Sequence, residues 1–134
     1  MAGDPLDTVR AYFLAVEKGD PAALDFYADG VEQVEHPNAI KPTGDRRGIE
    51  QMQVDFEKGK RLLSRQQYEV RSAVVNGERV AVEVLWTGEL AVALGSLQPG
   101  DVMRVQSAIF FRVRDGKIVS QENYDCVDPL VRNA

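Results

Sequence analysis

The sequence predicts a single α+β domain in which helices near the N-terminus pack on a mostly antiparallel sheet. The first helix is indicated by apolar residues at helical spacing, whereas the chain after residue 67 alternates in the manner of strands. Glycine-containing turn signals separate those strands. At 134 residues the chain is long enough for one core and too short for two ordinary domains, so we expect one domain over residues 1–134.

Two helix start signals open the chain. Asp4-Pro5 combines a capping side chain with the residue that fits the first helical position, and Asp20-Pro21 repeats this combination. Gly19 ends the first helix, and residues 22–28 are expected to form a short second one. The apolar face of the first helix recurs at i, i+3, i+4 and i+7, with Val9, Tyr12, Phe13 and Val16.

A short strand over residues 31–35 and a loop over residues 36–45 are predicted next, because prolines and a glycine interrupt the loop. A third helix is expected from about Gly48. Gly59 lies on its apolar face, as a weak point or a place of close approach. The rest of that face is Ile49, Met52, Phe56 and Leu63.

Two hairpins complete the predicted sheet, with strands over residues 68–75, 80–90, 105–113 and 118–127. Asn76-Gly77 and Gly116 supply the tight turns, since glycine tolerates positive φ. A sheet bent strongly around the helices would form a cone with one deep pocket, lined by alternate strand residues. Whether the connection over residues 94–101 closes that pocket is left open by the sequence.

Composition excludes several function classes. The net charge of −5 argues against non-specific nucleic-acid binding. A basic run from Lys58 to Arg65 is either a patch for an anionic ligand or a solvated helix face, of which the second is the better interpretation. No apolar run reaches the length of a membrane span, and no signal-peptide pattern is present, so we expect a cytoplasmic protein. One histidine and the single Cys126, expected to be buried in a strand, offer no metal ligand set; no cofactor motif is evident.

Four segments resemble the nuclear transport factor 2-like superfamily, and within it the SnoaL-like branch. They are YFLAVEKGDPAAL, FYADGVEQVEHP, the helix start at Gly48 and FFRVRDGKIVSQENYD, which together extend over residues 9–129. The resemblance implies a cone-shaped α+β barrel with three N-terminal helices on a strongly curved sheet, commonly dimeric. Its members include ketosteroid isomerase, polyketide cyclases and non-catalytic binders, so the fold alone leaves function open.

Ketosteroid isomerase can be compared residue by residue. The resemblance puts Tyr12, eight residues before Asp20, at the position of the isomerase's oxyanion-hole tyrosine. It puts His36 at the position of the general base, and Ile109 at that of the second, protonated oxyanion carboxyl. Because Ile109 has no proton to donate, the chain is not expected to be a standard ketosteroid isomerase.

The same resemblance assigns faces to the strands. Facing the pocket would be Val82, Val84, Trp86, Ser107, Ile109, Phe111, Val113, Val119, Gln121, Asn123 and Asp125. Buried amides and carboxylates need hydrogen-bond partners, and a ligand would supply them. The outer face would carry Ala108, Phe110, Ile118 and Tyr124, an apolar patch through which we expect a homodimer. Glu35 is expected to point outward, and no arginine is expected between pocket carboxylates.

Three residues are candidates for catalysis, each with a structural alternative. His36 would transfer a proton near neutral pH, or it is a loop residue with local hydrogen bonds. Asp125 would act as acid or base across the cavity from His36, or it is a strand-end carboxylate with a local partner. Tyr12 would donate to a carbonyl oxygen, or its ring packs in the core. Ligand contacts are expected from Met52, Phe56, Trp86, Ile109, Phe111, Gln121 and Asn123.

Two functions therefore stay open. The first is an enzyme that isomerises, cyclises or dehydrates a small apolar carbonyl compound by acid–base chemistry without a cofactor. The second is a non-catalytic small-molecule binding or accessory protein that uses the same cavity. A protein-interaction module is a third alternative, which the polar inner row of the last strand disfavours.

Overall fold

The computed structural model describes residues 3–129. The elements within that range are α1 (Pro5–Glu17), a 3₁₀ helix (Pro21–Phe26), β1 (Tyr27–Glu35), β2 (Asp45–Arg47), α2 (Ile49–Leu62), β3 (Leu63–Asn76), β4 (Arg79–Leu90), β5 (Val102–Arg114) and β6 (Lys117–Val127). Neither α-helix in this part of the chain is long and apolar enough to cross a membrane.

Both predicted helix starts are confirmed. The Asp4 carboxylate accepts the Leu6 N–H at 2.9 Å, and the Asp20 carboxylate accepts the Ala22 N–H at 2.9 Å. The second helix is a six-residue 3₁₀ helix and ends earlier than expected. It ends there because Tyr27 already belongs to β1, where it pairs with Ile118 of β6.

The six strands form one mixed sheet in the order β2-β1-β6-β5-β4-β3. Only the β1–β6 pairing is parallel, so the prediction of a mostly antiparallel α+β domain is confirmed. The sheet runs from edge to edge without closing, and the expected barrel is therefore an open sheet. Of the three expected helices, two are α-helical, and α2 follows β1 and β2 in the chain. The strand β2 lies in and just after the predicted loop.

The main core lies between α1, α2 and the inner face of the sheet. The ring of Phe13 stacks on Tyr68 with centroids 4.3 Å apart, and Phe111 meets Phe13 edge-on at 6.0 Å. A smaller cluster joins Leu97 of the 94–101 connection to Leu90 and Met103. This connection is therefore packed on the sheet through Leu97, which is buried.

A bulge in β6 changes the predicted faces at the start of that strand. Val113 pairs with Ile118 while Arg112 pairs with Ser120, so Val119 is an extra residue in β6. Ile118 is consequently buried in the core, and its predicted place on the outer face is wrong. Cys126, expected to be buried, is exposed, because it pairs with Gln106 on the outer face.

Candidate functional site

A cavity of about 190 Å³ lies between α1, α2 and the inner face of the sheet. It is lined by apolar side chains from both helices and by a few polar groups: Tyr12, Val16, Leu24, Tyr27, Gln33, Met52, Asp55, Phe56, Gly59, Leu63 and Gln66. Three of the predicted site residues are among them, namely Tyr12, Met52 and Phe56. A mostly apolar concave surface with a few convergent polar groups is typical of small-molecule sites.

Two buried tyrosines form the polar end of this cavity. The Tyr27 hydroxyl donates to Oε1 of Gln121 at 2.6 Å, and the ring of Tyr27 meets that of Tyr12 edge-on with centroids 5.1 Å apart. Burial raises the pKa of Tyr12, an effect that Tyr27 and the charge of Arg47 partly oppose. Burial raises the pKa of Tyr27 further, well above its ordinary value. Both phenols are therefore neutral hydrogen-bond donors at physiological pH.

The inner row of β6 continues from this tyrosine pair as a hydrogen-bonded chain. Gln121 donates through Nε2 to Oδ1 of Asn123 at 2.9 Å. Farther along the strand, the Ser107 hydroxyl donates to Oδ1 of Asp125 at 2.7 Å. Burial raises the pKa of Asp125, against the opposing effect of the Ser107 hydrogen bond. Asp125 therefore has a local hydrogen-bond partner, as expected if it is a structural carboxylate at the end of the strand. None of Gln121, Asn123 and Asp125 lines the cavity.

A cluster of charged residues around Arg47 borders the cavity. The Arg47 guanidinium donates to Glu35 Oε1 at 2.6 Å and to Asp55 Oδ2 at 3.3 Å, and lies 3.6 Å from Asp45 Oδ2. Burial acts to lower the pKa of Arg47, but Glu35 and the two aspartates outweigh it and raise that pKa. The Nε atom of Arg47 is buried and has no hydrogen-bond partner among the described residues.

Strand register explains why this cluster was missed from the sequence. Glu35 pairs with Asn123 in the parallel β1–β6 ladder, and partnered residues share a face, so Glu35 points inward. Arg47 pairs with Gln33 through β2, a strand that the sequence had not indicated. The expectations that Glu35 faces outward and that no arginine lies between carboxylates are therefore wrong.

Gly44, at φ +69, allows the loop between β1 and β2 to approach β1 closely, because a Cβ there would lie 2.6 Å from the Glu35 carbonyl oxygen.

His36 lies on the opposite side of the sheet from the cavity. Its N–H donates to the carbonyl oxygen of Asn123 at 3.0 Å, which continues the β1–β6 ladder by one residue. Alternation then turns the imidazole outward, where it stacks on Tyr124 with centroids 4.2 Å apart. Its Nε2 lies 3.4 Å from the Glu122 carboxylate. The prediction that His36 faces Asp125 across the cavity is wrong, because the two side chains lie on opposite faces of the sheet.

Three further predicted ligand contacts do not line the cavity but lie near residues of its wall. Ile109 and Phe111 are buried core residues that do not line it; the ring of Phe111 meets that of Tyr12 edge-on at 6.5 Å. Trp86 is also outside the lining, but its indole N–H donates to Oε1 of Gln66, a lining residue, at 2.9 Å. These three residues fix the positions of the side chains that form the cavity wall.

Sequence reasoning missed four lining residues with polar side chains: Tyr27, Gln33, Asp55 and Gln66. Tyr27 was missed because the sequence placed it in the expected second helix over residues 22–28, whereas it is the first residue of β1. Asp55 lies three residues after Met52 on α2, so helical spacing alone puts it on the edge of the apolar face. That spacing is the one signal that could have identified Asp55.

An α+β domain with a helix-covered mixed sheet and an internal cavity is of the nuclear transport factor 2-like class. The model of the SnoaL-like domain matches residues 9–121. This chain belongs to the SnoaL-like family. No curated protein sequence matches it.

Solved structures with the same fold include several from bacteria. A putative polyketide cyclase from Xanthomonas campestris is 27% identical, with 90% of this chain and 88% of that chain covered and a TM-score of 0.72. IdmH, a putative polyketide cyclase from Streptomyces antibioticus, is 23% identical, with 92% of each chain covered and a TM-score of 0.75. A Catenulispora acidiphila protein with a ketosteroid isomerase-like fold, in complex with trimethylamine, is 22% identical, with 88% and 84% covered and a TM-score of 0.70.

Proposed function

We propose that this protein catalyses proton transfer at a small carbonyl compound bound in the cavity, as an isomerase, cyclase or dehydratase does. The observation that carries the proposal is the pair of buried, neutral tyrosine hydroxyls at one end of an otherwise mostly apolar cavity. Removing a proton next to a carbonyl group develops negative charge on the carbonyl oxygen. Neutral donors that are held in position stabilise that charge more than they stabilise the ground state.

Tyr12 is proposed to donate to the substrate oxygen, with Tyr27 behind it. The Tyr27 hydroxyl is anchored by Gln121, so the tyrosine pair needs little reorganisation when charge develops. Such a site needs one further component, a base within reach of the substrate carbon. Because enolisation requires only a base and oxyanion donors, the proposed reaction uses no cofactor.

Asp55 is the carboxylate that lines the same cavity, and we assign it the role of base that the sequence had suggested for His36. Asp125 remains a second candidate on the inner face, where burial raises the pKa of its carboxyl group. Arg47 orients Asp55 through one guanidinium hydrogen bond. The two carboxylates can be distinguished by substitution.

Ligand size follows from the cavity volume. Ordinary ligand pockets have volumes of roughly 300–1,000 Å³, whereas cavities of about 150 Å³ accept a benzene ring. At about 190 Å³ this cavity suits one ring or a small fused pair. The polyketide cyclase descriptions of structural relatives agree with a small cyclic carbonyl compound.

A proton-exchange assay tests the proposal without knowledge of the natural substrate. The bicyclic ketone 2-tetralone is incubated with the protein in D₂O, and loss of its α-proton signals is followed by NMR. We expect exchange faster than in buffer, lowered roughly 100-fold or more in Asp55→Asn and about 10- to 100-fold in Tyr12→Phe. His36→Ala is the matched control and should exchange at the wild-type rate. A full loss in Asp125→Asn with normal exchange in Asp55→Asn would transfer the role of base to Asp125.

A non-catalytic binding protein is the second candidate, favoured by the hydrogen bonds that occupy both oxygens of the Asp55 carboxylate. Its Oδ2 accepts from Arg47 and its Oδ1 accepts from Gln51 at 2.9 Å, which is the arrangement of a structural carboxylate. In that case 2-tetralone would bind in the cavity, detected by shifts of its NMR signals, while exchange stayed at the buffer rate. That result would reject the enzyme and retain the cavity as a binding site.

A further inference from the structure

The cavity continues to the protein surface at the C-terminal ends of α1 and α2. A surface hollow of about 220 Å³ lies there, and it shares four lining residues with the cavity: Val16, Gly59, Leu63 and Gln66. These shared residues place the surface hollow directly against the cavity, and the passage between the two would run over them. The 94–101 connection contributes no residue to either lining, so the passage does not depend on it.

Gly59 is the residue of α2 that keeps this passage open. Glycine is disfavoured inside helices, and packing does not require it here, since a Cβ at Gly59 would meet no heavy atom within 4 Å. The residue lines both the cavity and the surface hollow. A larger side chain at position 59 would therefore extend into the space through which a ligand enters.

The rim of the surface hollow is cationic in a protein whose net charge is −5. Its charged lining residues are three cations and one acid: Lys18, Lys60, Arg65 and Glu17. The Glu17 carboxylate accepts the Tyr68 N–H at 2.6 Å, and Arg65 pairs with Glu89 at 3.1 Å. Among residues 3–129 no acidic side chain forms an ion pair with Lys18. Lys60 lies near Glu57, so Lys18 is the rim cation that has no acidic partner among residues 3–129, and Lys60 is the second lysine of the rim.

Lys60 is held directly at the entrance. Its aliphatic chain passes over Gly19, where a Cβ would lie 3.8 Å from Cε of Lys60. Its Nζ lies 5.7 Å from the ring centroid of Phe56, which lines the cavity, and 3.7 Å from Glu57. An ammonium group at this distance from the apolar wall can meet an anionic group that stays at the rim while the rest of the ligand is inside.

We propose that the passage over Gly59 is the ligand entrance and that Lys18 and Lys60 select ligands bearing a carboxylate on an apolar ring. The ring occupies the cavity near Tyr12, and the carboxylate remains at the rim. This inference rests on the proposed function only in taking the cavity as the ligand site. It adds a substrate class, aromatic or alicyclic carboxylates.

The test compares two ligands of the same shape, 2-naphthoate and 2-naphthamide, by isothermal titration calorimetry. We expect the carboxylate to bind roughly three- to ten-fold more tightly, the range that two partly exposed charges support. The preference should fall with added salt and vanish in the double variant Lys18→Gln, Lys60→Gln. The matched control is the double variant Lys58→Gln, Arg61→Gln. It removes two positive charges of the same helix from residues that line neither the cavity nor the surface hollow, and it should keep most of the preference for the carboxylate.

Substitution of Gly59 tests the entrance independently of charge. Gly59→Leu should slow the association of both ligands about ten-fold or more in stopped-flow measurements, since diffusional entry is then obstructed. Gly59→Ala, which favours the helix and adds only a methyl group, should slow it much less. Thermal unfolding of each variant checks that the fold is retained.

The outcomes separate this inference from the proposed function. Equal affinity for carboxylate and amide, with binding lost in a cavity-filling variant such as Leu24→Phe, at a residue that lines the cavity and not the surface hollow, would reject the cationic entrance and retain the cavity. Unchanged association rates in Gly59→Leu would reject the entrance over α2. Failure of both naphthalene ligands and of 2-tetralone to bind would count against the cavity itself, and so against both proposals.

Discussion

The two faces of β6 carry opposite kinds of residue from the same stretch of chain. Gln121, Asn123 and Asp125 point inward, and Gln121 is buried with a tyrosine hydroxyl as its partner. Glu122 and Tyr124 alternate with them and point outward. The ring of Tyr124 is 45% exposed, with His36 stacked on it. A row of amide and carboxyl groups thus faces inward, whereas an exposed tyrosine ring lies beside Glu122 on the outer face.

The two faces require different explanations. An inner row of amides and carboxylates is costly unless every group is hydrogen-bonded, and here Tyr27 and Ser107 supply the required donors. Exposed rings gain nothing in water. The inner row is therefore explained by hydrogen bonds within the fold, behind the cavity wall, whereas we propose that the exposed rings of the outer face form a surface for a second copy of the chain.

Adjacent arginines of β2 give the largest expected difference between the two faces. The Arg47 side chain is 12% exposed and contacts Glu35, which is 15% exposed, whereas Arg46 is 70% exposed and pairs with Glu32. Arg47→Met leaves buried carboxylates without their cation, so we expect a loss of about 3–5 kcal/mol in the free energy of unfolding. Arg46→Met should cost under about 1 kcal/mol.

Urea denaturation followed by circular dichroism measures both arginine variants. Because the two substitutions are chemically identical and one residue apart, the difference between them isolates burial. Equal losses would mean that the inner charge cluster is hydrated in solution, and the assignment of Arg47 as the residue that orients Asp55 would fall with it.

Association through the outer face is the next largest effect. We propose a homodimer, since Phe110 is 47% exposed and its ring meets Tyr124 edge-on at 5.8 Å in the middle of the sheet. Phe110→Lys should weaken dimerisation about ten-fold or more, because a central aromatic residue is replaced by a charge. Leu14→Lys, at a residue 54% exposed on α1, is the control and should leave it unchanged.

Sedimentation velocity over a range of protein concentrations measures this association. A wild-type protein that stays monomeric at micromolar concentration would overturn the interpretation of the outer face. The stacking of His36 on Tyr124 would then be a property of the monomer surface only.

Much of the fold was predictable because its signals are local. The Asp-Pro caps, the apolar spacing of α1 and the turns at Gly77 and Gly116 each depend on a few neighbouring residues, and all of them are present. The family resemblance added the inward row of Gln121, Asn123 and Asp125. The parallel pairing of β1 with β6 was not predictable from local pattern, because it joins residues about ninety positions apart.

The candidate site was predicted less well, for the same physical reason. Side-chain direction alternates along a strand, so the assignment of Glu35 and His36 depended on register, and both were put on the wrong face. Register also determined the face on which Ile118 lies, because one extra residue in β6 reversed the alternation and put its side chain in the core. Tyr12 lines the cavity as expected, since its helical spacing fixes the direction of its side chain without any long-range pairing, and its catalytic role stays a prediction.

The smallest expected effect is the pH dependence of stability that Asp125 contributes. Burial raises the pKa of Asp125 in the folded protein above its unfolded value of about 3.9. Between these two pKa values the folded state retains a proton that the unfolded chain has lost, so stability falls as pH rises through that window. Asp125→Asn does not titrate, and at neutral pH it should be more stable than wild type by under about 1 kcal/mol.

Thermal unfolding from pH 7 to pH 4 should show this advantage shrinking on acidification, while Asp29→Asn, an exposed control on β1, should show none. Ser107→Ala removes the hydrogen bond that opposes the shift, so it should extend the window to higher pH. A wild-type protein that becomes less stable relative to Asp125→Asn on acidification would mean that the Asp125 carboxylate is stabilised in the fold, and the inner face would then favour a bound cation over a neutral carbonyl compound.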